Sequence, residues 1–271
     1  MDESGIDTIE RIHAGTAYWN AFFFEHKERY EFAAPYCRGK TVLDAACGTG
    51  FGADILSRHG AKKVVGVDAN EDAISEARRL YRHGNLEFAL HDVCNLNALD
   101  QRFDLVVSFE TIEHLGDPAR FLSQVRSVLS ADGLFICSSP NRNYRGRNHS
   151  GNPFHISEMS YEEFQRLFDV SFTAVGRFHQ SPTPDFARIS ELAHAVELTG
   201  KLLQRSLALR LENAVRRLLG KDQLSAGTLS KELTHARPHD YPVLPLNDPP
   251  GLEHLAFVFL GRPRVEKSSG Q

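Results

Sequence analysis

Thr41-Val42-Leu43-Asp44-Ala45-Ala46-Cys47-Gly48-Thr49-Gly50-Phe51-Gly52 is the stretch on which the fold turns. It opens as a short apolar run suited to a buried strand and breaks into glycines where a strand would hand over to a helix. Glycine at such a turn lets the backbone approach a ligand closely, and the following helix N-terminus offers unpaired N–H groups. Outward from this turn the chain keeps a rhythm to about Arg177. VVGVD (64–68), LEFAL (86–90), FDLVVSF (103–109) and LFICSS (134–139) read as further buried strands. Between them lie helical patterns. In 71–81 the apolar positions Ala73, Ile74, Ala77 and Leu80 have helical spacing, and Asp117-Pro118 reads as an N-cap followed by proline at the first helical position. Ser160 and Glu163 form a capping box that opens the next helix.

Alternating strands and helices imply crossover connections, hence a mostly parallel sheet covered on both faces. The expected fold is α/β: a Rossmann-like, mostly parallel seven-stranded sheet with helices on both faces and a helical insertion before the last strand. VSFTAVGRF (170–178) and LAFVFLGR (255–262) read as its last two strands. The organisation expected is a helical cap over 1–38, a ligand-binding domain over 39–184 and 251–265, and an insertion over 185–250. Residues 17–37 gather Tyr18, Trp19, Phe22, Phe23, Phe24, Tyr30, Phe32 and Tyr36, read either as a helix packed on the sheet or as a lid over a ligand.

The chain has 271 residues and a formal net charge of −4, so no global positive field exists to attract nucleic acid. Its apolar runs, such as Leu255–Leu260, are far shorter than the ~20 residues a membrane-spanning helix needs. The acidic N-terminus is unlike a secretory signal, and Cys37, Cys47, Cys94 and Cys137 form no C-x-x-C pair. These features lead to the expectation of a cytoplasmic protein without disulfides or a transmembrane segment.

The glycine loop alone leaves two ligands open, because Gly48-x-Gly50-x-x-Ala53 also satisfies the dinucleotide fingerprint. Asp68, some 20 residues on, suits the hydroxyls of a ribose in either case. Asp44 separates the two: a carboxylate inside the turn disfavours phosphate and favours an ammonium. Asp92, just after the third strand, is placed to accept from an adenine amine. With D-x-x-x-G-x-G, VVGVD, HD and FDLVVS in order, residues 15–180 resemble the class I S-adenosylmethionine-dependent methyltransferases. The resemblance implies that Asp44, Gly48 and Gly50 line the methionine end of the cofactor, Asp68 the ribose and Asp92 the adenine. Ala45, Ala69, Val93 and Phe109 would complete that surface. A Rossmann-like dehydrogenase and a non-catalytic cofactor-binding partner protein are the alternatives.

The fourth strand leads into Glu110-Thr111-Ile112-Glu113-His114, where an i, i+3, i+4 spacing in one helical turn places Glu110, Glu113 and His114 on one face. His155 follows the fifth strand and, since both strands end at one sheet edge, lies within reach. E-x-x-E-H, then S-P-N, then H-x-x-x-x-S resembles the metal site of the small-RNA 3′-terminal 2′-O-methyltransferases. A related E-x-x-E-H occurs in ubiquinone-pathway O-methyltransferases. By that resemblance Glu110, Glu113, His114 and His155 are divalent-metal ligands, of Mg²⁺ or Mn²⁺ before zinc. The readings left open are a metal site, a metal-free base (His114 or His155, with Glu113), and a purely structural cluster.

Arg142, Arg145 and Arg147 near Tyr144 and His149 suit a phosphorylated substrate or a solvated loop. Leu203, Leu207, Leu211, Val215 and Leu218 form an apolar stripe on a basic helix, read as a cap over the site, a homodimer contact or a membrane-surface helix. The function expected is O-methylation of a small-molecule or glycan hydroxyl (a sugar, glycan precursor or natural-product diol). An RNA 3′-terminal 2′-O-methyltransferase and a metal-independent methyltransferase are the rivals.

Overall fold

The computed structural model describes residues 19–144, 154–184, 239, 241–246 and 255–264, with side chains from Phe23 onward. The insertion helix with its apolar stripe, and Arg145, Arg147 and His149, lie outside the described residues. The chain divides into two compact units: Met1–Ile12, His26–Ser181 and Val243–Gln271 in one, His13–Glu25 and Pro182–Pro242 in the other. In the second, Phe23 and Phe24 meet edge to face.

The elements run α1 (Trp19–Cys37), β1 (Thr41–Ala45), α2 (Phe51–Arg58), β2 (Lys63–Asp68), α3 (Glu71–Leu80), β3 (Leu86–Leu90), β4 (Phe103–Ser108), α4 (Pro118–Val128), β5 (Leu129–Pro140), α5 (Tyr161–Ser171), β6 (Phe172–Gln180), β7 (Val243–Pro245) and β8 (Ala256–Pro263). Short 3₁₀ turns at Val93–Leu99 and Ile112–His114 flank β4. The strand order is β3-β2-β1-β4-β5-β8-β6-β7. β1 to β5 are mutually parallel, whereas β8 runs antiparallel between β5 and β6. The C-terminal ends of the parallel strands therefore share one edge, where open α/β sheets bind ligands.

Among the described residues the sheet has eight strands, one more than expected. The extra one is three residues long and pairs antiparallel with the outer side of β6. Its Pro245 and the Pro242 just before it disguised it in the sequence, yet proline is tolerated where a strand has only one hydrogen-bonded neighbour.

Alternation along the strands makes two cores. Leu105, Val107, Ile136 and Val258 face Tyr30, Ala33, Ala53, Leu56, Ile74 and Ala77 of α1 to α3. Val106, Phe135, Phe257 and Phe259 face Phe121, Val125, Phe164 and Phe168 of α4 and α5. Local signals set the helix starts. Asp117 accepts from the Arg120 N–H (2.9 Å) ahead of Pro118, and Ser160 and Glu163 complete their capping box. Among the described residues no helix is long and apolar enough to cross a membrane.

Candidate active site

Beyond β1 the backbone enters the left-handed region three times, at Ala46 (φ 65°), Gly48 (φ 53°) and Gly50 (φ 87°). Gly50 caps α2, and a Cβ there would stand 2.7 Å from the Phe88 ring and 2.8 Å from the Ala77 methyl. Only glycine fits that packing. Gly48 faces open space, so its backbone is available for close approach. Both suit a loop that cradles a ligand.

Asp44 is wholly buried at the end of β1. The Tyr30 hydroxyl, from α1, donates to its two carboxylate oxygens at 3.0 and 3.2 Å. Burial, reinforced by the charge of Asp68, pushes the Asp44 pKa up to about 7 against the pull of the Tyr30 and Ala53 hydrogen bonds. Asp68 accepts from the N–H groups of Gly48 and Asn70, both at 2.9 Å, tying the glycine loop to the end of β2. Asp92 is exposed and caps the 3₁₀ turn by accepting from the Cys94 N–H at 2.8 Å. Ala45 and Val93 are packed into the core, whereas Ala69 is exposed beside Asp68. Phe109 sits edge-on to Tyr30, with ring centroids 4.9 Å apart.

The acidic stretch after β4 does not form a single helical turn. Glu110 has a φ of +50°, and the 3₁₀ turn begins only at Ile112. Glu110 is thereby set apart from the Glu113–His114 turn along the backbone, though its charge is still felt by Glu113 and His155. Its carboxylate accepts from the Ser138 hydroxyl (2.7 Å) and lies 3.5 Å from the Arg29 guanidinium, while its N–H donates to the same serine oxygen (3.0 Å). Burial opposes its ionisation, but Arg29, with His26, Ser138 and His155, outweighs burial and holds its pKa below the ordinary value.

The structure does bring Glu113, His114 and His155 together: one ligand-type atom from each lies within 4.8 Å of the others. Ser157 makes the convergence, its N–H donating to the Glu113 carbonyl (2.8 Å) and its hydroxyl to the Leu115 carbonyl (2.7 Å). His114 Nδ1 is 3.1 Å from the Phe154 carbonyl, and His155 Nδ1 pairs with Glu158. Such contacts favour the Nδ1–H tautomer, whose Nε2 carries the lone pair. Glu113 has no exposed surface, and among the described residues neither carboxylate oxygen has a hydrogen-bond partner, His114 Nε2 lying 3.7 Å from Oε1. Burial, then the nearby Glu110 charge, raises its pKa well above the usual range.

Arg29, Tyr30, Ser138 and Glu158 have roles here that sequence reasoning missed. Tyr30 read as one aromatic among many, and nothing local to α1 marks residues 29 and 30 as facing the strand ends. Arg142 is committed to α5, its guanidinium 2.7 Å from Glu163.

A family described as a methyltransferase domain matches residues 37–184. The chain belongs to that family, and it is a class I S-adenosylmethionine-dependent methyltransferase. It is 38% identical over 184 residues to a protein of Mycolicibacterium smegmatis named a probable S-adenosylmethionine-dependent methyltransferase, a match spanning 64% of this chain and 68% of that one. It is 34% identical over 110 residues to a ubiquinone biosynthesis O-methyltransferase of Coxiella burnetii, spanning 40% of this chain and 47% of that one. The crystal structure of an S-adenosylmethionine-dependent methyltransferase from Mesorhizobium loti shares the fold with a TM-score of 0.52 at 16% identity, covering 95% of this chain and 100% of that one.

Proposed function

We propose that this enzyme methylates a hydroxyl of a sugar, glycan precursor or natural-product diol, assisted by a divalent ion held by Glu113, His114 and His155. The observation that carries the reading is the convergence of those three side chains around a buried carboxylate with no hydrogen-bond partner. A buried carboxylate without a hydrogen bond is costly, and a cation is the partner its donor set suits. Likeness to the Coxiella O-methyltransferase supports oxygen as the acceptor atom.

S-adenosylmethionine supplies an electrophilic methyl group on a sulfonium. The Asp44 carboxylate meets its ammonium, Gly48 and Gly50 admit the methionine end, Asp68 takes the ribose and Asp92 the adenine. Ala45, Ala69, Val93 and Phe109 give the cofactor its remaining surface. A divalent ion held by Glu113, His114 and His155 would supply a Lewis acid that favours loss of a hydroxyl proton. Glu110 stands beside this centre as a fixed negative charge, anchored by Ser138 and Arg29. It attracts a cationic centre without being a ligand to it.

The test is calorimetric titration of Mn²⁺ and Mg²⁺ into chelator-treated protein, alone and with S-adenosylhomocysteine, repeated on Glu113→Ala. The expected result is a metal isotherm that the substitution abolishes, with S-adenosylhomocysteine affinity retained. Native protein that binds the cofactor product but neither ion overturns the metal assignment.

A further inference from the structure

Tyr30 touches three parts of the cofactor crevice from an element outside the glycine-loop motif. Its hydroxyl reaches both oxygens of Asp44. Its ring stands where a side chain at residue 52 would have to go, since a Cβ on Gly52 would lie 2.0 Å from Cζ. The same ring meets Phe51 and Phe109 edge to face, at centroid distances of 5.3 and 4.9 Å. Gly52 thus belongs to the loop to admit Tyr30, and Tyr30 fixes Asp44, a carboxylate buried beside the loop.

We propose that Tyr30 is a positioning residue for the cofactor, acting through Asp44: its hydroxyl orients that carboxylate and favours the charged form that meets the ammonium of S-adenosylmethionine. The proposal rests on the reading of Asp44 as the acid at the methionine end. The groups facing Asp44 are few. Tyr30 comes from α1 with Arg29 beside it, the Ala53 N–H from α2, Cys47 from the loop and Asp68 from β2. Of these, Asp68 opposes ionisation of Asp44, while Tyr30 and the Ala53 N–H favour it. Burial keeps the Tyr30 hydroxyl protonated, so it remains a donor throughout the range in which Asp44 titrates.

The experiment is S-adenosylhomocysteine binding to the intact chain at pH 6.5 and pH 8.5, for native protein, Tyr30→Phe and Asp44→Asn. A hydrogen bond to a charged acceptor is worth about a tenfold change in an equilibrium constant. Tyr30→Phe should therefore bind about tenfold more weakly at pH 6.5 and within about twofold of native at pH 8.5. Phenylalanine keeps the ring against Phe51 and Phe109, and a ratio between two pH values is insensitive to a general loss of stability. Native-like affinity at both values, or an equal loss at both, overturns the role of Tyr30. Asp44→Asn should bind weakly at both. If it binds as native protein does, the reading of Asp44 itself fails, whereas a weakened Asp44→Asn beside an unaffected Tyr30→Phe defeats only the proposal.

Discussion

At residue scale, two side chains in the crevice are held against their intrinsic preferences. Ala46 occupies the left-handed region, which costs an alanine about 1–2 kcal/mol. Glycine would remove that strain but loses about 0.4–1 kcal/mol through the unfolded chain. Ala46→Gly should therefore stabilise the protein by ~0.5–1 kcal/mol, read as an upward shift in denaturant midpoint at unchanged slope. Asp44 carries the other penalty. Its pKa is raised from 3.8 to about 7 by burial, so the folded state holds a proton that the unfolded chain releases. Its contribution is fully present below the unfolded value and is lost as pH rises through 7. With ligand absent, stability should fall between pH 4 and 7 by an amount on the order of 3–4 kcal/mol, and Asp44→Asn should flatten that slope in urea melts across the range.

At the scale of elements, the site depends on how α1 and α5 meet the strand ends. Gly52 lets α1 lie close to α2, because no side chain separates it from Tyr30. Gly52→Ala should cost about 1–3 kcal/mol by overpacking, visible as a lower melting temperature. The capping box is a simpler case. Removing the Ser160 hydroxyl takes a bond from the Glu163 N–H and should cost about 1 kcal/mol. Since Ser157 rather than Ser160 fixes the His155 segment to the Glu113 turn, Ser160→Ala should retain native metal affinity in the same titration. Both capping signals were plain in the sequence because they are local: a hydroxyl or carboxylate reaches an N–H three residues away.

For the whole molecule, the net charge of −4 opposes a salt-sensitive hold on a nucleic-acid backbone. Short RNA should show no measurable binding by fluorescence anisotropy at 50 mM salt; tight binding with a steep salt slope would instead favour an RNA-terminal methyltransferase. The α/β rhythm, the glycine turn, the strand-end acids Asp44 and Asp68, and the membership of the methyltransferase family were all legible in the sequence. Each rests on periodicity, on spacing within one strand–turn–helix unit, or on motif order, and such signals survive in one dimension. The sequence also named Glu110, Glu113, His114 and His155. What it misjudged was the backbone that carries Glu110, because the i, i+3, i+4 rule presumes a helix and residue 110 is in the left-handed region instead. The partners of the acids, Arg29 and Tyr30 from α1 and Ser138 from β5, were decided only by tertiary structure. These residues are separated from Asp44 and Glu110 along the chain, and it is the packing of α1 through Tyr30, Ala33 and Cys37 that brings their charges and hydroxyls into register.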